Sequence, residues 1–189
     1  MLAPAATTPV GEAAPAASLA QVLEARDHRA RCHVRLLAAG YGPVLSLTLV
    51  SPGAVKDSPG RRRLMDAMEE AFAAAFRSAR IHVPTRLRLD GPAGPESFWV
   101  AEASPRQVKR IAVEIEHGMP WGRLLDADVL IAGPRGEPLP LARTAFGWKT
   151  RPCLVCGKEA KECIGLRRHL PHEAETRTAA MILGLAGRP

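Results

Sequence analysis

From residue 18 onward the apolar side chains of this chain fall into two alternating spacings, one helical and one extended. Ser18-Leu-Ala-Gln21 has the form of a helix-opening capping box, and Leu19, Val22, Leu23, Val34 and Leu37 follow at helical spacing, with Gly40 as the stop. The pattern predicts a first helix with an interruption near Asp27. Leu45, Leu47 and Leu49 alternate with Ser46 and Thr48, which places leucines on one face of a strand and hydroxyls on the other before Pro52-Gly53 ends it. Residues 61–80 carry Leu64, Met65, Met68, Phe72, Ala75 and Phe76 on one stripe, the signature of a long amphipathic helix.

Two strands are expected next, at 83–89 and 98–101, with Pro84 assigning the first to a sheet edge. Ser104-Pro105 with Gln107 opens another helix, expected to end near His117 and Gly118. Residues 124–131 read as an apolar strand interrupted by two aspartates, and Gly133-Pro-Arg-Gly136 turns it back along 138–141. A last helix is expected over 173–185. No internal repeat is present. This order of elements predicts an α+β fold, a mixed sheet with packed helices, of which a nucleotidyltransferase-like arrangement is one form.

Composition changes the picture at the two ends. Residues 1–17 are almost all Ala, Pro, Thr and Gly and are expected to form a mobile tail, because they cannot offset the entropy of ordering. Residues 18–150 then form the main domain, and 151–189 a Cys/His segment and terminal helix packed on it. No apolar run reaches the roughly 20 residues of a bilayer span, and the start lacks a secretory pattern, so a cytoplasmic protein is expected. The net charge of +7 favours anionic partners without choosing among nucleic acid, phosphorylated cofactor and acidic protein.

Candidate chemistry concentrates in Gly122-Arg-Leu-Leu-Asp-Ala-Asp-Val129. Residues two apart on a strand share a face, so Asp126 and Asp128 are positioned to share a Mg²⁺ ion, whose remaining ligands are typically water and substrate phosphate. Arg123, at the glycine turn before them, suits bidentate contact with phosphate. Lys56, in the loop Val50-Ser-Pro-Gly-Ala-Val-Lys-Asp-Ser58, is a second phosphate candidate, while Ser58 also suits a helix cap. Glu116 and His117 close the helix before the aspartate strand and are candidates for a proton acceptor. Cys153-x2-Cys156-x6-Cys163-x5-His169 supplies the four soft ligands of a closed, structural Zn²⁺ site. Cys32 stands apart and reads as a helix residue.

The segments Glu24-Ala-Arg-Asp-His-Arg29, Ser51-Pro-Gly-Ala-Val-Lys-Asp-Ser58, Glu114-Ile-Glu-His117, Gly122-Arg-Leu-Leu-Asp-Ala-Asp-Val129 and Arg151-Pro-Cys-Leu-Val-Cys156 occur in the order seen in the citrate lyase phosphoribosyl-dephospho-CoA transferases, also called holo-acyl-carrier-protein synthases of citrate lyase. The resemblance covers residues 18–169. It implies transfer from 2′-(5″-triphosphoribosyl)-3′-dephospho-CoA to a serine of the apo acyl carrier subunit, with diphosphate leaving. It also implies a substrate-binding set of Arg26, Lys56, Asp57, Ser58 and Arg123, beside the catalytic set Asp126, Asp128, Arg123, Glu116 and His117. Met119-Pro-Trp121 and Ala127 depart from the family pattern, and neither removes a carboxylate. Two other readings compete: the equivalent transferase for malonate decarboxylase, and a zinc-stabilised nucleic-acid-binding module using Arg61, Arg62 and Arg63. The second is disfavoured by the scarcity of aromatic residues for base stacking.

Overall fold

The computed structural model describes residues 15–186, so most of the expected tail lies outside the described residues. Its inner end does not: the Ala17 amide donates to the Ala54 carbonyl at 2.9 Å, which ties the chain down one residue before the first cap. The chain runs α1 (Leu19–Ala38), β1 (Val44–Leu49), α2 (Pro59–Ser78), β2 (His82–Leu89), β3 (Glu96–Glu102), α3 (Pro105–Gly118), β4 (Leu125–Ala132), β5 (Pro138–Pro140), α4 (Ala160–Gly165) and α5 (Pro171–Ala186). Short 3-10 turns span Gly122–Leu124 and Arg143–Phe146.

Both expected capping boxes form, Ser18 with Gln21 and Ser104 with Gln107. Helix α1 continues through Asp27 without the expected interruption, since Asp27 lies on its exposed side and no breaker follows. The five strands are ordered β2-β3-β1-β4-β5, and every pairing is antiparallel, so the sheet is more uniform than the mixed sheet expected. β2 is an edge strand, as its proline requires, and the register of its ladder shifts between His82 and Thr85.

One face of the sheet packs against α2 and α3. Leu45 and Leu47 of β1, Trp99 and Ala101 of β3, and Ala127 and Val129 of β4 meet Leu64, Met65, Met68, Phe72 and Phe76 of α2 and Val108, Ile111 and Ile115 of α3. Phe72, Phe76 and Trp99 form an edge-to-face triad with ring centroids 5.9–6.4 Å apart. The few aromatic residues are thus used mainly for packing. The buried Glu69 accepts from Ser97 at 2.5 Å and pairs with Arg86 at 2.8 Å and Arg88 at 3.2 Å. Burial alone would raise its pKa, and the Ser97 and Arg86 hydrogen bonds pull it down, so the charge is retained. Helix α5 lies on α2, bringing Met181 and Ile182 to the core, and Leu154 anchors the Cys/His segment there. No helix among the described residues is long and apolar enough to cross a membrane.

Candidate functional site

The other face of the sheet, under α1, is divided in two along the strands. Val44 pairs with Val100 and Leu130, and these three residues pack with Leu37 into a small apolar cluster. Two residues further along, Ser46 lies opposite Asp128, and a further two along Thr48 lies opposite Asp126. Cross-strand partners project to the same face, so both aspartates and both hydroxyls stand together on the face toward α1.

The residues of α1 that meet this face change in step. Leu36 and Leu37 cover the apolar end. One turn earlier, His33 Nε2 lies 2.9 Å from Ser46 Oγ, and its ring meets Phe98 edge-on at 5.6 Å. Burial, reinforced by the nearby Arg29 cation, pushes the His33 pKa down to about 4. One turn earlier again, Arg29 Nε donates to the buried Glu96 carboxylate at 2.9 Å. Beyond it a cleft of about 190 Å³ opens between α1, the sheet and the 90–95 turn, with Arg26, Arg29, Lys56, Ser51, Thr48, Glu96 and Asp126 among the residues lining it.

Three of the residues expected to act together, Arg26, Lys56 and Asp126, therefore share this cleft. The Lys56 ammonium donates to the Ser51 carbonyl at 2.5 Å, and burial followed by the nearby Arg61 cation lowers its pKa. Gly94 closes the cleft wall. At φ +101° it takes a conformation that other residues avoid, and a Cβ there would stand 2.8 Å from the Lys56 carbonyl oxygen. Asp57 and Ser58 are not among the lining residues. Asp57 pairs with Arg62, and Ser58 accepts from the Arg61 amide as the N-cap of α2, so both build the start of the helix rather than the cleft.

Asp128 is exposed yet surrounded by enough protein to raise its pKa, with the neighbouring Asp126 charge adding to the effect. Asp126 accepts from Arg151 Nη1 at 2.7 Å. Among the described residues the two aspartates gather no third His, Cys, Asp or Glu ligand.

Glu116 and His117, adjacent in sequence, go to different surroundings. Glu116 is buried, with Arg143 on one carboxylate oxygen and Arg151 on the other at 3.0 Å; Arg123 lies 3.5 Å from that second oxygen. Both oxygens are occupied by guanidinium groups, which leaves Glu116 poorly placed to take a proton. The Arg123 Nε and Nη1 atoms are buried without a hydrogen-bond partner among the described residues. Gly122 permits this crowding, since a Cβ there would lie 1.9 Å from the Glu116 carbonyl oxygen. His117 is exposed and lines a separate cleft with Trp148, Lys149, Arg151 and Lys158.

The ligand atoms of Cys153, Cys156, Cys163 and His169 all lie within 4.8 Å of one another. Cys156 Sγ stands 3.6 Å from Cys163 Sγ and 3.3 Å from His169 Nε2. Burial would raise the Cys153 pKa, but the Cys156 and Val155 amides donate to its sulfur and bring it to about 7, favouring the thiolate that a metal takes. Three sulfurs and one imidazole fit Zn²⁺ in a closed tetrahedral site. Cys32 is a buried residue of α1, as expected.

Arg29, Glu96, His33, Arg143 and Arg151 were not singled out from the sequence. Arg29 had a legible signal, since it stands three residues after Arg26 on one helix face; Glu96 and Arg143 had none.

The family described as apo-citrate lyase phosphoribosyl-dephospho-CoA transferase matches residues 17–184. A Citrobacter koseri protein of that name is 34% identical over 167 residues, covering 88% of this chain and 89% of the relative. A Streptococcus pyogenes protein named as a probable member is 33% identical over 168 residues, covering 88% and 86%, and an Escherichia coli protein is 33% identical over 168 residues, covering 88% and 89%. With the match spanning the sheet, the aspartate pair and the Cys/His cluster, this chain belongs to the apo-citrate lyase phosphoribosyl-dephospho-CoA transferase family.

Proposed function

We propose that this protein transfers the 2′-(5″-phosphoribosyl)-3′-dephospho-CoA group from its triphosphate precursor to a serine of the apo acyl carrier subunit of citrate lyase. The observation that carries this reading, beside the family, is the meeting of Asp126 with Arg26, Arg29 and Lys56 in one cleft, with Asp128 alongside. In the reaction the serine oxygen attacks the α-phosphorus, a new phosphodiester bond forms, and the bond to the departing diphosphate breaks. Most of the barrier is electrostatic, because a neutral hydroxyl must approach a phosphate already carrying negative charge.

Asp126 and Asp128 would hold Mg²⁺, which supplies charge neutralisation on the phosphates when bound. Lys56 and Arg26 are assigned to the triphosphate. Arg29 keeps Glu96 neutralised, so that this buried carboxylate does not repel the substrate. Arg123, whose partly exposed guanidinium lies beside Glu116, is assigned to phosphate as well. Glu116 is assigned to organising Arg123, Arg143 and Arg151 rather than to proton transfer, and because His117 lines a separate cleft the serine proton is assigned to water rather than to either residue. The Cys/His cluster is assigned a structural Zn²⁺, and the overall positive charge steers an acidic carrier toward the site.

The test is a mass spectrum of purified apo-carrier after incubation with enzyme, triphosphate precursor and Mg²⁺. The citrate lyase carrier should gain the mass of the prosthetic group, and the malonate decarboxylase carrier should not. A gain confined to the malonate decarboxylase carrier would reassign the partner, and no gain on either would retire the transferase reading.

A further inference from the structure

The strand that carries the aspartates is only half covered along its outer edge. β5 pairs with residues Leu130, Ile131 and Ala132 of β4, so among the described residues the stretch from Leu125 to Asp128 has no neighbouring strand on that side. Two cations take its outward carbonyls: Lys109 Nζ donates to Ala127 O at 3.2 Å, and Arg151 Nη2 donates to Leu125 O. Arg151 does more than cap the edge. The same guanidinium donates through Nε to Glu116 at 3.0 Å and through Nη1 to Asp126 at 2.7 Å, so one planar group joins α3, the β4 backbone and one of the two paired carboxylates. A planar fork places its donors on separate nitrogens and so reaches acceptors on separate elements, whereas an ammonium offers its three donors from a single point.

The backbone holding Arg151 belongs to the Cys/His turn. The Arg151 carbonyl accepts from the Ala160 amide at 2.9 Å, and the next residue, Pro152, bridges to Glu159. Cys153 follows immediately, its amide bonded to the Lys158 carbonyl and its own carbonyl accepting from the Gly157 amide at 3.1 Å. The two segments leading into and out of the Cys153-x2-Cys156 turn therefore close directly behind Arg151. The Arg151 backbone cannot shift relative to the cluster without breaking these bonds.

We propose that Arg151 is a positioning residue for the transfer, carried to Asp126 by the Cys/His turn, so that the folding of that turn sets the orientation of the carboxylate pair. This rests on the reading of Asp126 and Asp128 as the metal-holding pair. The competing account is that Arg151 merely seals a strand edge, and the two differ in what removal of the guanidinium does to the carboxylates. A positioning cation both orients Asp126 and opposes a second cation beside it. Its loss should loosen the geometry while strengthening the local attraction for a divalent ion, whereas loss of an edge seal should weaken both with the fold.

The experiment measures Mn²⁺ binding to the substrate-free, full-length protein by electron paramagnetic resonance, together with transfer at saturating Mg²⁺ and the melting temperature. Arg151→Ala should bind Mn²⁺ roughly two- to tenfold more tightly, by relief of like-charge repulsion, and should transfer at least about tenfold more slowly in molecules that remain folded, by loss of orientation. Arg151→Lys, which keeps the charge but cannot span the three acceptors, should restore wild-type Mn²⁺ affinity without restoring transfer. Cys156→Ser should slow transfer about as much as Arg151→Ala, and the double variant should be no slower than the worse single one, as expected when two changes act through one route.

Transfer within about twofold of wild type in folded Arg151→Ala, or Mn²⁺ affinity and transfer falling together with stability, would overturn the positioning role. Losses that multiply in the double variant would overturn its delivery by the Cys/His turn. If Asp126→Asn binds Mn²⁺ as the wild type does, the reading of the aspartate pair fails instead, and the two failures are separable.

Discussion

On β1, Leu45 and Leu47 face α2 and α3 and are completely buried, while Ser46 and Thr48 between them face α1 beside Asp128 and Asp126. The same six-residue strand thus builds a core on one side and a polar site on the other. What separates the two faces is the covering helix. Helices α2 and α3 present continuous apolar stripes, so the strand side chains opposite them must be apolar. Helix α1 presents Leu36 and Leu37 at one end and His33, Arg29 and Arg26 toward the other, and it can lie over polar strand residues because it brings partners for them. The strands that carry this polar site are pinned from behind by the core.

Substitutions that respect this division should fall into separate classes. Phe72→Ala, on the core face, removes one ring of the aromatic triad and should destabilise the fold by about 3–5 kcal/mol, measured by denaturant unfolding, while leaving the transfer rate of folded molecules unchanged. A fold that tolerates this change would mean that the triad does not hold the core.

Asp126→Asn and Asp128→Asn, on the site face, should do the reverse. Each removes charge without changing shape and should cost about 3 kcal/mol of transition-state stabilisation, on the order of a hundredfold in rate, with melting temperature little altered. Near-wild-type transfer by both would break the functional half of the comparison.

Lys56→Ala takes one cation from the cleft and should raise the KM for the triphosphate precursor about tenfold, with a much smaller effect on carrier docking. Unchanged precursor affinity would remove Lys56 from the phosphate set.

The smallest effect is expected at His33. Its folded pKa of about 4 lies below the ordinary 6.5, so between these values the unfolded chain takes up a proton that the folded chain refuses. The folded state therefore loses stability as pH falls through that window, and is unaffected by this group above it. In His33→Gln the loss of melting temperature between pH 7 and pH 4.5 should be smaller than in the wild type by a few degrees or less. Equal losses would show that His33 is not the buried neutral imidazole bonded to Ser46.

Much of the local structure was legible in the chain. The two capping boxes, the edge placement of the proline-bearing strand, the turn from β4 to β5 and the spacing of the four cluster ligands each depend on residues within about sixteen positions of one another, so they follow from local conformational preference. The aspartates' common face follows from the two-residue repeat of a strand alone. Harder to read were Asp57 and Ser58, whose residue types serve equally well at a phosphate and at a helix start; the structure uses them for the latter.

The sequence by itself determined which residues form elements, which side chains share a face, and which family the chain resembles. It did not determine that β1 sits between β3 and β4, that Arg29 meets Glu96 across 67 positions, or that Arg143 and Arg151 converge on Glu116 from beyond the sheet. Those contacts arise only when distant segments close on one another. A guanidinium can pair with any carboxylate the chain offers, and the choice is made by which elements the core brings together.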